Sequence, residues 1–472
     1  MTETLVHRQW LQALLLAAIA VAYGAAIAVQ PLAAAALAGT AIVVALAFLA
    51  PVTHLAILLF LTTIVPYSVS NRYLGASAGP GLLLPDLFLV TGLARAAVTL
   101  AHARLDPRRL AVLGLIGVFC LWALFAAYRG VREGGNLSDV GVELRQLSGF
   151  SVAFIAMAIL LEPRSSEPLM RGLVVLGLLL GLWGLTQWVA DLSFGVIGQD
   201  FGVREGVSYA PGARGQVQGG LFAFPVAIIV SVGALISGQL RSRLSRLAVS
   251  AVLATNAVSL LLTFERTFWV VTVLGVVVVF LRIGRSQRGR AVLWTVALAV
   301  VALVVTSEVS PRTLQTASAR LLSIGEFGTD PSLRYRRVES EHVLREIAKA
   351  PVVGAGLGAG IWWGRPWDDV PPSIFTFVHN GYLWLAWKIG IGGCLLLMLV
   401  LCLSIAWRGP PEGGRLLAAV RVGAQASLVA LLVAAMLFPV FTASGVTTLI
   451  GALIAICALP RSAGGAARHV LE

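Results

Sequence analysis

The feature that most constrains this chain is a succession of continuous apolar stretches between about residue 10 and about residue 459. Each is roughly 20 residues long, which is the length that an α-helix needs to cross a bilayer. Charged residues make up only 12% of the sequence, about half the share typical of soluble domains. The stretches are continuous rather than alternating, which excludes a transmembrane β-barrel. The sequence therefore predicts an all-α fold, a polytopic transmembrane helical bundle in which residues 1–472 form a single integral membrane domain.

The apolar stretches predict about fourteen membrane-spanning helices. They fall at residues 10–30, 32–50, 52–66, 82–101, 110–128, 147–161, 172–190, 219–238, 247–264, 267–283, 291–306, 377–407, 419–438 and 440–459. With that number of crossings, the arginines of the alternate short loops all share one side with Arg8 and Arg461. Basic loop residues prefer the cytoplasm. The opposite ends therefore face out of the cell.

Four segments are expected on that outer side: 129–146, 191–218, the Glu265–Arg266 turn and 307–376. The last of them, an extracytoplasmic loop inserted between membrane helices, is the one long enough to hold structure of its own. Val338, Val343 and Ile347 recur at helical spacing within 332–349, and Pro351 follows. This pattern predicts a loop helix that ends before the proline.

The formal net charge of +13 does not indicate a nucleic-acid partner. The basic residues are spread through short loops instead of forming the patch that nucleic acid requires. Lys349 and Lys388 are the only lysines among 35 basic residues, so arginine is the main residue available for binding anions. The four cysteines are scattered in apolar stretches, where small buried side chains are expected rather than disulfides or a metal site.

His379 is the histidine most suited to chemistry. It stands in the segment Phe377-Val378-His379-Asn380-Gly381-Tyr382-Leu383, where the outer loop enters the membrane. One interpretation is that the polar pair merely caps the next helix. The other is that His379 acts as a base at the lipid–water boundary, since the ordinary pKa of histidine lies near neutrality.

Arginines form a second group on the outer side. Arg214 precedes one apolar stretch, Arg266 occupies the turn between two others, and Arg334, Arg336 and Arg337 cluster in the loop helix. A charge so close to hydrocarbon is costly and is a functional hypothesis by default, although Arg266 could instead snorkel or pair with Glu265. Several guanidinium groups at one mouth would suit a diphosphate, which they bind through paired hydrogen bonds.

Two further patterns do not predict a cofactor or metal. The glycine run 354–360 follows a helix and a proline rather than a strand, so it is not a dinucleotide fingerprint. It is better explained by close approach of the backbone to a ligand or a neighbouring helix. Glu339 and Glu341 are two residues apart on the predicted helix and do not face each other. No catalytic metal is expected.

Three blocks of residues resemble the O-antigen ligase and O-antigen polymerase superfamily. The first is Thr263-Phe264-Glu265-Arg266-Thr267. The second is Arg336 followed by Ala350-Pro351-Val352-Val353-Gly354-Ala355-Gly356. The third is His379-Asn380-Gly381-Tyr382-Leu383 followed by Gly390-Ile391-Gly392. Arg214 is similar to an upstream arginine of the family, while Glu265 stands where the family usually has serine.

The resemblance implies a metal-independent, inverting glycosyltransferase of the GT-C type that needs no cofactor. The family typically has twelve crossings, which is the alternative to fourteen here. The expected donor is a glycan on undecaprenyl diphosphate, and the acceptor is a hydroxyl of lipid A-core or another glycan or glycolipid. His379, Arg266 and Arg214 are the expected catalytic residues. Arg336, Arg334, Arg337, Asn380 and Tyr382 are expected to bind substrate.

The same resemblance places the protein in the bacterial cytoplasmic (inner) membrane, with its active site facing the periplasm and membrane lipid around it. Ligase is favoured over a polymerase that uses the same donor. The alternative from another class is a transporter or flippase for lipid-linked sugars, which should show inverted repeats and broken helices near the midplane. No such repeat is visible in the sequence.

Overall fold

The structure is a computed structural model. It describes residues 31–65, 83–162, 165–189, 203–204, 207–208, 220–238, 240, 242–263, 265–283, 289, 331–363, 373–407 and 415–458. The predicted spans 10–30 and 291–306 lie outside the described residues, as do Arg214 and most of the segments 191–218 and 307–330.

The described chain is almost entirely helical. Its α-helices are α1 (Pro31–Leu49), α2 (Pro51–Thr63), α3 (Leu84–His102), α4 (Pro107–Arg132), α5 (Leu137–Ser148), α6 (Val152–Leu160), α7 (Ser166–Val189), α8 (Gly220–Ile236), α9 (Arg243–Leu262), α10 (Arg266–Arg282), α11 (Pro331–Lys349), α12 (Gly381–Ile405), α13 (Arg415–Ala434) and α14 (Ser444–Cys457). Two short antiparallel pairs of strands complete it: β1 (Val203–Arg204) with β2 (Val207–Ser208), and β3 (Ile361–Trp363) with β4 (Ser373–Phe375).

Seven helical segments of the described chain are long and apolar enough to cross a membrane, and four shorter apolar helices accompany them. Exposed leucines, valines and phenylalanines cover the outside of these helices, as in α4, where Leu121 and Leu124 are exposed. Such a surface needs an apolar surrounding. The protein is a multi-pass, all-α membrane protein, as the sequence predicts, and the predicted loop helix is α11, which ends at Lys349 before Pro351.

One predicted boundary is wrong. The segment 129–146 was expected to be an outer loop, but α4 continues to Arg132 and α5 begins at Leu137. Through the short 3₁₀ turn Gly149–Ser151, α5 continues into α6, so that Leu137–Leu160 forms one candidate span. Hydropathy hides the start of this span because it contains charged residues. Two of them, Glu143 and Arg145, are paired inside the protein with Lys388 and Asp86.

Small residues let the helices approach closely. Gly177 and Gly181 of α7 lie four residues apart and face α9, where Asn256 donates to the Gly177 carbonyl (2.7 Å) and Ser259 donates to the Gly181 carbonyl (2.9 Å). A Cβ at Gly181 would lie 2.3 Å from the hydroxyl oxygen of Thr255. This is the packing of small residues and interhelical hydrogen bonds that joins helices in lipid, where hydrophobic burial contributes little.

The central irregularity of the fold is a break in α12 at Gly390, whose φ of 76° is outside the helical range. The segment that follows α11 docks onto this break. The amide groups of Ala355 and Gly356 donate to the carbonyls of Trp387 and Lys388, at 2.7 Å and 3.0 Å. On the other side of the break, Ile391 donates to the Pro351 carbonyl at 2.8 Å. Broken helices are tolerated at membrane depth when other protein groups satisfy the freed backbone, and the docked segment does so here.

The glycine run 354–360 is thus a close-packing device, as the sequence indicates. Gly356 has φ of 93°, and a Cβ there would lie 2.6 Å from the backbone nitrogen of Gly130 in α4. Leu357, its neighbour, donates to the Ala126 carbonyl of the same helix at 3.0 Å. The loop is therefore held between α4 and α12. We call the segment 351–360 the docked loop.

We expect Gly390→Ala to destabilise the protein by more than about 1 kcal/mol, because alanine is strained at positive φ. Its Cβ would also lie 2.0 Å from the Val352 carbonyl oxygen of the docked loop. Thermal unfolding in detergent micelles measures the change. Gly114→Ala in α4 is the matched control, since nothing lies within 4 Å of its Cβ position. This variant should raise the free energy of unfolding by about 0.5–1 kcal/mol. Equal melting temperatures for the two variants would contradict this account.

Candidate active site

His379 lies just before α12, at the end of the bundle where α8 and α10 begin and α13 ends. Asn380 is the N-cap of α12, and its side-chain oxygen accepts from the amides of Tyr382 and Leu383 at 3.0 Å and 3.1 Å. Gly381 donates to the Ala435 carbonyl at 2.8 Å, which joins the start of α12 to the end of α13. The cap and this bond fix the backbone on which His379 is presented.

His379 is paired with a buried carboxylate from the loop helix. Its ring nitrogen Nδ1 lies 3.1 Å from both carboxylate oxygens of Glu339, and its backbone N–H donates to Oε2 of the same residue at 2.9 Å. The Glu339 side chain is 4% exposed and that of His379 is 22% exposed. One carboxylate therefore fixes the ring and the backbone of His379 together. With Nδ1–H facing Glu339, the other ring nitrogen, Nε2, carries the lone pair that can accept a proton.

Two aromatic rings hold the imidazole edge-on. Tyr335, one turn before Glu339 on α11, has its ring centre 5.6 Å from that of His379. Phe377 has its ring centre 5.1 Å away and approaches at nearly a right angle. Together with Glu339, these rings leave the imidazole few orientations.

Two phenylalanines link Arg336 to the start of α10, the helix that Arg266 begins. The guanidinium carbon of Arg336 lies 5.2 Å from the ring centre of Phe438, directly after α13. The Phe438 ring is 4.8 Å from that of Phe268, which lies two residues beyond Arg266 in the first turn of α10. Arg336 and the start of α10 are thus joined by two aromatic contacts. The structure brings together His379, Arg336 and the helix start that bears Arg266, residues that stand far apart in the sequence.

The other predicted substrate-binding residues are placed less directly. Arg337 forms an exposed ion pair with Glu341, one turn along α11, at 3.3 Å. The side chain of Arg334 lies outside the described residues. The Tyr382 hydroxyl donates to the Leu432 carbonyl at 2.6 Å, and the Asn380 oxygen caps α12, so both side chains already make bonds inside the protein. Their contact with a substrate stays a prediction.

Sequence reasoning missed two acidic residues. It considered Glu339 only as half of an unsuitable metal pair, because nothing in the sequence indicates that it faces His379 forty residues later. It also did not find Glu143, whose Oε1 pairs with Lys388 Nζ at 2.6 Å and whose Oε2 accepts from the Gly358 amide at 2.7 Å. Lys388 also donates to the Ala359 carbonyl at 2.5 Å. This buried pair fastens the docked loop to α5 and α12. Across the described part of the chain there is no cluster of three or more histidine, cysteine or acidic side chains that could hold a metal ion.

Residues 249–398 match the family model described as O-Antigen ligase. This part of the chain is therefore similar to the O-antigen ligase family, as the three sequence blocks predict. The matched region runs from α9 through α11 to α12 and includes Arg266, Arg336, Glu339 and His379. The match supports a ligase- or polymerase-type membrane glycosyltransferase, and no curated protein matches the chain.

Proposed function

We propose that the protein transfers a glycan from undecaprenyl diphosphate to an acceptor hydroxyl, in the manner of an O-antigen ligase and at the periplasmic face of the inner membrane. The observation that carries this proposal is the His379–Glu339 pair, in which a nearly buried carboxylate holds a histidine at the mouth of the bundle. A base held in this way resembles the histidine–carboxylate arrangement of other transfer enzymes, where the carboxylate fixes the tautomer and orientation of the ring.

The proposed reaction makes one bond and breaks one. The acceptor oxygen forms a bond to the anomeric carbon of the donor, while the bond from that carbon to the phosphate oxygen breaks and its electron pair leaves with the diphosphate. The acceptor proton passes to Nε2 of His379. Attack from the face opposite the leaving group inverts the anomeric carbon.

Arg266 and Arg336 are assigned to the departing diphosphate. Negative charge grows on it in the transition state, and preorganised donors aimed at that charge are often the largest part of catalysis. Arg266 is the first residue of α10, so its guanidinium is supplemented by the positive end of the helix dipole. Arg214 has the same proposed role from the segment before α8, outside the described residues. The donor bond is already activated, so charge neutralisation and positioning suffice without a metal.

We expect Arg266→Ala to lower kcat by about 10²-fold, the effect of removing one charge-stabilising donor. The measurement uses purified protein, a polyprenyl-diphosphate glycan and a panel of acceptors, among them lipid A-core and the donor's own repeat unit. Transfer to lipid A-core indicates the ligase, and elongation of the repeat unit indicates the polymerase. Arg345→Ala is the matched control, because Arg345 is an exposed arginine of α11 with no proposed role, and its kcat should fall by less than about threefold.

Two results would count against the proposal. If no lipid-linked donor is turned over, the protein is not a transferase of such donors. That result would favour the alternative function, the transport of lipid-linked sugars across the membrane. Loss of activity on addition of a chelator would show that the assigned side chains are not sufficient.

A further inference from the structure

A cavity of about 360 Å³ opens beside the candidate active site. Its walls come from the end of α2, most of the length of α5 and the starts of α3, α12 and α14, together with the segment that leads into His379. We call it the acidic pocket and define it by Asp86, Asp139, Glu143, Arg145 and Phe377. Its volume falls within the range of small-molecule sites.

The pocket and His379 share a wall. Phe377 lines the pocket, and its ring centre is 5.1 Å from the imidazole centre. Trp384, another lining residue, donates to the Thr376 carbonyl at 3.2 Å and so holds the segment that bears Phe377. A molecule in the pocket would therefore contact the same aromatic ring that the imidazole contacts. Phe377 is also 42% exposed, which leaves part of its apolar surface free for contact with a ligand.

The charges of the pocket do not cancel. Arg145 pairs with Asp86 at 2.9 Å, and Lys388 pairs with Glu143 at 2.6 Å. Asp139 is half-buried and accepts no hydrogen bond from any residue that the structure describes. The buried amide oxygen of Gln146, also in the wall, has no hydrogen-bond partner within the same described ranges. The described wall thus offers hydrogen-bond acceptors, and its three carboxylates exceed the two cations Arg145 and Lys388 by one negative charge.

The loop helix brings positive charge near His379. It supplies Glu339 to the imidazole and, one turn earlier, Arg336, which stacks on Phe438 near the start of α10. The base therefore has both the acidic pocket and an arginine of α11 near it. A diphosphate is attracted to the arginines and repelled by Asp139, whereas sugar hydroxyls donate well to free carboxylate and amide oxygens. This difference in charge assigns the donor diphosphate to the arginines and the acceptor sugar to the pocket.

We propose that the acidic pocket binds the acceptor sugar, with Asp139 accepting from its hydroxyls and Phe377 packing against its ring, and that it selects uncharged sugars over anionic ones. The inference rests on the proposed function, because it concerns the acceptor of that same reaction. Selectivity here comes from repulsion as much as from attraction. An anionic sugar would meet Asp139 in a wall with an excess of negative charge, and such repulsion is an effective way to reject a near-identical ligand.

Sugar binding without any donor tests this inference separately from catalysis. The protein is placed in lipid nanodiscs, and saturation-transfer NMR measures binding of methyl β-D-glucopyranoside, methyl β-D-galactopyranoside and methyl β-D-glucuronide. We expect wild type to bind at least one uncharged glycoside and to bind the glucuronide about tenfold more weakly. Asp139→Asn should weaken binding of the uncharged glycoside by about tenfold, which is the contribution of one hydrogen bond to a charged group. The same variant should reduce the discrimination against the glucuronide.

Matched variants separate the pocket from general effects of substitution. Glu133→Gln removes a carboxylate that precedes α5 and forms an exposed pair with Arg129, outside the pocket, and should leave sugar binding unchanged. Phe377→Ala should weaken binding, while Trp362→Ala, at an exposed aromatic residue of β3, should not. If Asp139→Asn does not fold, Phe377→Ala and the wild-type comparison of glucoside with glucuronide still decide the question.

The possible failures are distinguishable. Three results would each overturn the acidic pocket as the acceptor site, whatever the transfer assay gives. The first is that neither uncharged glycoside binds, and the second is that the glucuronide binds as tightly as the uncharged glycosides. The third is that Asp139→Asn and Glu133→Gln change sugar binding equally. His379→Ala should lower the rate of transfer by about 10²–10⁴-fold and retain sugar binding. If the protein binds sugar but transfers no lipid-linked glycan, the pocket is a sugar-binding site and the proposed reaction is wrong.

Discussion

Replacing His379 with alanine should lower the rate of glycan transfer by about 10²–10⁴-fold, the usual contribution of a positioned general base. The loss should fall on kcat, because His379 is proposed to act on the proton of a bound acceptor. Initial rates at saturating donor and acceptor measure the change. The fold should survive, since the His379 backbone is held by the Asn380 cap and by Glu339 rather than by the ring alone.

Glu339→Gln tests the pairing itself. Glutamine keeps the size of the side chain but removes its charge, and its amide NH₂ can hold Nδ1 in the unprotonated form, which leaves the proton on Nε2. We expect a loss of about 10²-fold, in line with the large effect of disturbing the tautomer in other histidine–carboxylate pairs. His342→Ala is the matched control on the same helix, where Nδ1 of His342 lies 2.9 Å from the Val338 carbonyl oxygen. Full activity of His379→Ala would show that His379 is not the general base. If His342→Ala and His379→Ala lose the same amount of activity, the substitutions have merely disturbed α11 and its contacts.

The sequence predicts the main features of this protein because they depend on short-range patterns. Apolar runs of about 20 residues identify helices such as α4 and α12, and the proline after Lys349 gives the end of α11. His379 stands out because it interrupts an apolar segment at a helix start. Arg266 stands out for the same reason, since a charge between two apolar helices is costly.

The sequence does not predict the partners of these residues. Glu339 and His379 are forty residues apart, and only the packing of α11 against the start of α12 brings them within 3.1 Å. The start of α5 was missed for a related reason, since hydropathy counts Glu143 and Arg145 as polar although both are paired inside the bundle. Hydropathy averaged over a short window of one sequence cannot show that two distant charged residues pair in the fold. The break of α12 at Gly390 is equally hidden, because a glycine within an apolar run does not reveal that another segment will dock there.

The buried pair of Glu143 and Lys388 should be the most sensitive point for stability. Lys388 has no exposed surface and Glu143 is 5% exposed. Removing one partner would leave a buried charge uncompensated, so Lys388→Met should cost about 3–5 kcal/mol of the free energy of unfolding. Denaturation in mixed micelles or bicelles measures it. Removing one charge of the exposed Arg337–Glu341 pair, as in Arg337→Gln, should change the same free energy by less than about 1 kcal/mol.

The double variant Glu143→Gln/Lys388→Met separates charge from shape. It removes both charges together, and the glutamine can still accept from the Gly358 amide that Glu143 binds at 2.7 Å, so most of the lost stability should return. The pair also affects the active site, because the docked loop follows α11 and is tied to α12. Holding that loop fixes the helix that carries Glu339 against the helix start that carries His379. We therefore expect Lys388→Met to lower kcat even under conditions where it stays folded, and the double variant to recover part of that rate. A double variant as unstable as Lys388→Met would show that the two side chains act through packing and not through their charges.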